Sequence, residues 1–130
     1  MKKAVLDASA VIAFVKRERG HEIVREWISG SVLSAVNYAE VLQTLGKTSG
    51  NRNLIEATLS NLRVSVADFD ADHARNVAEL YAIANKGISL ADRACMAVGR
   101  TLDLPIVTGD HKWSELELNH ELIIFRPRNN

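Results

Sequence analysis

Four acidic residues, Asp7, Glu40, Asp92 and Asp110, stand where a parallel α/β arrangement would bring them together. Asp7 and Asp110 each follow a short β-branched apolar run, and Glu40 and Asp92 each fall in the first turn of a predicted helix. Carboxylates that converge need compensation. Two like charges about 4 Å apart repel by roughly 4 kcal/mol at an effective dielectric of about 20. A cluster of four therefore binds cations or holds protons. Oxygen-only ligands select hard cations, so magnesium (Mg2+) or manganese (Mn2+) is expected ahead of zinc. A carboxylate cluster of this kind in so small a chain points to metal-dependent phosphate chemistry.

The elements that must position these acids can be read from periodicity. Lys3 to Leu6 reads as a short buried strand ending at Asp7. Ser9 to Lys16 reads as a helix with Val11, Ile12, Phe14 and Val15 apolar, and His21 to Ile28 as a second helix that Gly30 stops. Ser31 to Ala35 is a candidate strand. Asn37 is placed to cap the next helix, which carries Tyr38, Val41, Leu42 and Leu45 before Gly46. A polar turn over Lys47 to Arg52 leads into a helix from about Asn53 to Leu62, and Arg63 to Ala67 alternates like a strand. Asp70 or Ala71 opens a long helix through Val77, Leu80, Tyr81 and Ile83 to Gly87. Ser89 caps a further helix with a core stripe of Leu90, Ala91, Ala94, Cys95, Val98 and Leu102. Pro105 to Thr108 is a strand, a short helical segment lies around Trp113 to Leu118, and Leu122 to Phe125 is a last strand, expected at a sheet edge.

Strands separated by helical connections build a parallel sheet with right-handed crossovers. The expected class is α/β with a central, mainly parallel sheet. Such sheets place their ligand sites beyond the carboxyl ends of the strands. Asp7 and Asp110 lie just past two such ends, and Glu40 starts a helix that leaves a third. The helix of Asp92 runs down toward the amino edge of the Pro105 strand, so its start points at the opposite edge, where the other acids are. Taken singly, Glu40 and Asp92 read more readily as capping-box acids after Asn37 and Ser89. Asp7 alone could be an N-cap and Asp110 a turn residue. The joint placement on one rim is what favours a metal set.

Other residues are weighed around this set. Ser9, two after Asp7, and Thr108, two before Asp110, could orient a carboxylate or a metal-bound water, or merely cap and extend. Arg93 could reach a phosphate or face solvent. The densest basic region, Lys16, Arg17 and Arg19 through His21 to Arg25, makes Arg17 a candidate substrate contact or a solvated helix end. The four histidines, His21, His73, His111 and His120, show no ligand spacing and read as surface residues, with His111 singled out beside Asp110. Cys95 on its apolar stripe reads as core. Trp27 and Trp113 read as packing residues.

A length of 130 residues predicts a single domain, 1–130, with room for a real core. Formal net charge is zero, yet setting the four acids aside leaves 16 basic residues against 12 acidic ones (16 less 4), a surface that permits a polyanionic substrate. The single cysteine excludes an intrachain disulfide and suits a reducing cytoplasm. Asp7 interrupts the N-terminal apolar stretch, so no signal peptide is expected, and no apolar run approaches a membrane span.

Four segments in this order, Val5-Leu6-Asp7-Ala8-Ser9-Ala10, Asn37-Tyr38-Ala39-Glu40-Val41, Ser89-Leu90-Ala91-Asp92-Arg93-Ala94-Cys95 and Val107-Thr108-Gly109-Asp110-His111-Lys112-Trp113, carry a family resemblance. The chain resembles the PIN-domain ribonucleases and, within them, the VapC-type toxins of bacterial toxin–antitoxin pairs. The resemblance implies a three-layer α/β/α fold and a magnesium- or manganese-dependent endoribonuclease with Asp7, Glu40, Asp92 and Asp110 as its acidic site. It also implies a homodimer and a cognate antitoxin that occupies the active-site groove. Trp113 stands where many relatives have phenylalanine. An aspartyl-phosphate phosphatase would want a second aspartate where Ser9 stands, and a receiver domain would want adjacent acids near the first strand. A non-catalytic PIN-like module binding RNA or protein, and a PIN nuclease outside any toxin–antitoxin pair, remain as alternatives.

Overall fold

Parallel strands cannot be joined by tight turns, so each step across a parallel sheet requires a crossover long enough to hold a helix. The computed structural model, which describes residues 2–49 and 51–128, is built on that rule. Its strands are β1 (Val5–Leu6), β2 (Val32–Ser34), β3 (Ser65–Ala67), β4 (Ile106–Thr108) and β5 (Leu122–Ile124), all parallel, in the order β3-β2-β1-β4-β5. The helices are α1 (Ala8–Lys16), α2 (His21–Ile28), α3 (Ala35–Ser49), α4 (Arg52–Asn61), α5 (Ala71–Leu80) and α6 (Leu90–Leu102), with a 3-10 turn at His111–Glu115.

Alternation along the strands divides the interior in two. Leu6, Leu33 and Val107 point to one face and are buried against Val11, Ala13, Val24, Ile28, Val41, Leu45, Ile55 and Leu59 of α1 to α4. Val5, Val32 and Ile106 point to the other face and are buried against Val77 and Leu80 of α5, Ala94 to Val98 of α6, and Trp113. The result is a three-layer α/β/α fold, as the family resemblance implies, around the parallel sheet that the sequence pattern predicts. Strands buried on both faces read as continuous apolar runs, which is why Val5-Leu6, Val32-Leu33 and Ile106-Val107 carry no polar alternation.

Several element boundaries differ from the sequence reading. Asn37 does not cap α3: the helix follows β2 without a loop, and the Ser34 hydroxyl accepts from the Val36 amide at 3.2 Å. Gly46 does not end α3 either, so Lys47 to Ser49 of the expected polar turn are helical, while Gly50 lies outside the described residues. α5 stops at Leu80 instead of reaching Gly87; its last carbonyls close into tighter turns at Ala82 and Ile83. Leu90 and Leu102 are exposed, because they occupy the two ends of α6, beyond the sheet that covers its middle. The helical segment expected at Trp113 begins at His111, where Asp110 caps it. All four histidines are half-buried rather than on the surface, and His120 Nε2 lies 2.6 Å from the Leu104 carbonyl. Among the described residues no helix is long and apolar enough to cross a membrane.

One corner bears on the site. The turn between α1 and α2 passes through Gly20 at φ 90°, a conformation that L side chains avoid, and a Cβ there would collide with the carbonyl of Phe125 just beyond β5. Gly20→Ala is expected to cost about 2–4 kcal/mol in urea unfolding, from strained φ and backbone overlap together. A loss below about 0.5 kcal/mol would show that this contact does not hold the corner to the sheet edge.

Candidate active site

β1 and β4 lie side by side with Leu6 level with Val107. One step further along both strands brings Asp7 beside Thr108, and the Thr108 hydroxyl donates to Asp7 Oδ2 at 2.5 Å. The other oxygen, Oδ1, accepts from the Ser9 hydroxyl at 2.6 Å and from the Ala10 amide at 2.9 Å. Asp7 is thus the N-cap of α1 and a buried carboxylate, 6 % exposed, at the centre of the sheet edge. Both hydroxyls continue outward. Ser9 accepts from the Gly109 amide at 3.1 Å, and Thr108 accepts from the Asp110 amide at 3.1 Å. The loop after β4 is therefore fastened to Asp7 by the two residues that the sequence reading placed beside the carboxylates.

Asp110 and Asp92 arrive from helix starts, whereas Glu40, expected in a first turn, lies in the second turn of α3 because that helix already begins at Ala35. Asp110 caps the 3-10 turn, accepting from the Lys112 amide at 2.9 Å. Asp92 closes a full capping box with Ser89, its Oδ2 accepting from the Ser89 amide at 2.9 Å. Glu40, one turn into α3, accepts from the Asn37 side-chain amide at 3.0 Å. That amide also donates to the Ala91 carbonyl at 3.1 Å, so Asn37 ties α3 to the first turn of α6. All four acids line one cavity of about 650 Å3, with Ser9, Ile12, Asn37, Gly109, His111, Lys112 and Arg126 completing its wall.

The electrostatics follow from burial. Withdrawal from water raises the Asp7 carboxyl from the ordinary 3.8 to about 6, against hydrogen bonds from Ser9, Thr108 and Ala10 that pull it down, with a smaller upward push from the charge of Asp92. Cys95 is buried in the core, and its thiol is pushed well up, first by burial and then by the charges of Asp7, Asp92 and Glu40. Three of the acids thus act on one buried point.

The donor set suits a hard divalent cation. It is made of oxygens, it carries excess negative charge, and the buried Asn37 Oδ1 in the same wall has no hydrogen-bond partner. Among the described residues no three acids are yet drawn close enough to hold an ion as they stand. Each is turned to a donor of its own: Asp92 and Asp110 to caps, Glu40 to Asn37, Asp7 to its hydroxyls.

Other candidates fall differently. His111 is in the wall, its Nε2 2.6 Å from the Arg126 carbonyl. Arg93 is turned to α5 instead, donating to the Val77 carbonyl at 3.1 Å with its guanidinium 5.0 Å from the Tyr81 ring centroid. Arg17 ends α1 in the left-handed region and lines a separate small cavity with His21 and Arg25. Asn37, Lys112 and Arg126 were missed as site residues. Lys112 lies two residues past Asp110 and was open to inference; Arg126 carries no local signal, because only the pairing of β5 with β4 brings it here.

Comparison with known proteins bears on the family and the fold. The family profile described as PIN domain matches residues 4–118. Ribonuclease VapC42 of Mycobacterium tuberculosis is 29% identical over 112 residues, covering 82% of this chain and 85% of the relative. The fold is similar to that in the crystal structure of VapBC2 from Rickettsia felis bound to a promoter DNA fragment (TM-score 0.68, 19% identity, 93% of this chain and 97% of that one). It is also similar to that of Mycobacterium tuberculosis VapC20, a sarcin-ricin loop cleaving toxin (TM-score 0.65, 16% identity, 95% and 99% covered).

Between about pH 4 and pH 6 the folded chain keeps a proton on Asp7 that the unfolded chain has released, so stability falls as pH rises through that window. Asp7→Asn in chelator is therefore expected to raise stability at pH 7 by about 1–3 kcal/mol, with the difference closing below about pH 4. Denaturant unfolding of both proteins across this range checks it, and a gap that widens toward acid would contradict the assignment.

Proposed function

The chain belongs to the PIN domain family, and from that premise we propose that it is a metal-dependent endoribonuclease, the toxin of a type II toxin–antitoxin pair. The observation that carries this reading is the convergence of Asp7, Glu40, Asp92 and Asp110 on one cavity at the carboxyl edge of the sheet. Four carboxylates facing a phosphodiester would repel it unless cations stood between them. Asp7, Asp92 and Asp110, with Glu40, would hold magnesium or manganese. A bound ion of that kind supplies Lewis-acid stabilisation of phosphate charge and lowers the pKa of attacking water.

The chain's own residues do the rest. Ser9 and Thr108 fix both oxygens of Asp7, so this carboxylate keeps one orientation. The capping bonds hold Asp92 and Asp110 at helix starts, where the positive end of the dipole offsets part of their mutual repulsion. Glu40 is exposed at the rim with one oxygen held by Asn37, a position suited to orienting the water and taking up its proton.

RNA as substrate, a cognate antitoxin and a homodimer belong to the same proposal, as does cytoplasmic action. RNA as substrate is supported by the ribonuclease name of the VapC42 relative, and the antitoxin by structural neighbours that include the Rickettsia felis VapBC2 complex and a toxin–antitoxin complex from Klebsiella pneumoniae; the homodimer and cytoplasmic action rest on the family resemblance alone.

The test is cleavage of total RNA by the purified chain, mapped to single nucleotides. Cutting at discrete sites is expected with magnesium, none in chelator, and at least about 100-fold slower cutting by folded Asp110→Asn. Equal cutting in chelator would remove metal dependence. No cutting of RNA by folded wild type would favour a non-catalytic binding module instead.

A further inference from the structure

The acidic cavity has two cations in its wall, Lys112 and Arg126, and among the described residues no carboxylate lies within hydrogen-bond distance of either charged group. Pairing with β4 continues one residue past the end of β5, with the Phe125 amide donating to the Thr108 carbonyl at 3.1 Å. The next residue, Arg126, therefore comes level with the loop that carries Asp110. Three features hold it there. Gly109 leaves it room: a Cβ at that position would lie 2.9 Å from Arg126 Cζ and Nη1. The guanidinium sits 5.2 Å from the centroid of the Phe125 ring, which is itself buried. The Arg126 carbonyl is bound by His111.

Among the described residues no anion lies within hydrogen-bond distance of the guanidinium. Its one ion pair among the described residues is with Glu18 at 3.8 Å, too long for a good hydrogen bond. Lys112, the other cation of the wall, already donates to the Gly87 carbonyl at 3.1 Å. A positioned guanidinium with unused donors, opening on a cavity meant for a polyanion, matches the fork geometry of a phosphate. Its charge also reduces the repulsion that four carboxylates exert on an incoming strand.

We infer that Arg126 is a substrate-binding residue that takes a phosphate of the RNA strand beside the one being cut. The inference rests on the nuclease reading above. The rival is a strut: Arg126 merely joins Glu18 to Phe125 and packs the edge of the sheet.

Kinetics of magnesium-dependent cleavage of a fluorogenic single-stranded RNA of mixed sequence separates them, measured against salt. Each phosphate contact contributes about 0.7 to the slope of log affinity against log salt for single strands. Arg126→Met keeps an unbranched apolar side chain beside Phe125 and removes the charge. It is expected to raise KM about tenfold, change kcat less, and flatten the salt dependence of kcat/KM by about 0.7. Arg126→Lys should keep the wild-type slope with an intermediate KM, because the charge stays and the fork is lost. Glu18→Gln should behave as wild type in slope. An unchanged slope in folded Arg126→Met overturns the inference, as does a Glu18→Gln variant that mimics it. Should Arg126→Met fail to fold, an Arg126→Lys KM equal to wild type overturns it and an intermediate KM with an unchanged slope supports it. Wild type that cuts while Arg126→Met keeps its slope sinks this inference alone. Folded wild type that cuts no RNA sinks the nuclease reading and this inference with it.

Discussion

The Asp7 carboxylate is the joint on which the carboxyl edge of the sheet depends. It ends β1, caps α1 and accepts from Thr108 on β4, so one side chain fastens three elements. Two forces oppose each other there. Burial favours the neutral acid, and the three donors around it favour the charge. The balance leaves Asp7 with a proton affinity well above that of an ordinary aspartate. A fully apolar replacement would strand those donors without an acceptor, which is costly in a buried place. The position is thus held at the expense of stability, as sites built for ligands commonly are.

Capping and convergence are one arrangement here. In a right-handed parallel crossover the helix that follows a strand begins at the strand's carboxyl end. An acid that caps such a helix is delivered to the ligand edge by the act of capping, and α6, which follows α5, starts at the same edge because it runs down into β4. Asp7, Asp92 and Asp110 all serve as caps or capping-box partners, and all three line the same cavity. Helix dipoles supply about 0.3–1 kcal/mol each toward negative charge at those starts. This lets the acids gather before any cation arrives, though each remains turned to its own helix. Asn37 adds the link between the two sides of the cavity, from α3 to the Ala91 carbonyl of α6.

Much of this is legible in the amino-acid sequence. Apolar runs at Val5-Leu6, Val32-Leu33 and Ile106-Val107, separated by helical periodicity, point to a parallel sheet because strands joined through helices pair in parallel. From chain direction alone the four acids were assigned to one edge, and the structure brings them into one cavity there. Helix ends were less legible. Gly46 sits inside α3 against its low helix propensity, and α5 stops early despite an apolar pattern that continues through Tyr81 and Ile83.

The residue types and their order determined the fold class, the rim and the acids on it, since these depend on periodicity and chain direction. Tertiary structure alone decided what faces those acids. Asn37 became a bridge because Ser34 took over the cap, and Arg93 was lost to α5 through its bond to Val77. Arg126 entered the wall only because β5 lies parallel to β4 and Gly109 leaves a gap. Contacts between residues distant in sequence are set by register and packing, which no local pattern encodes.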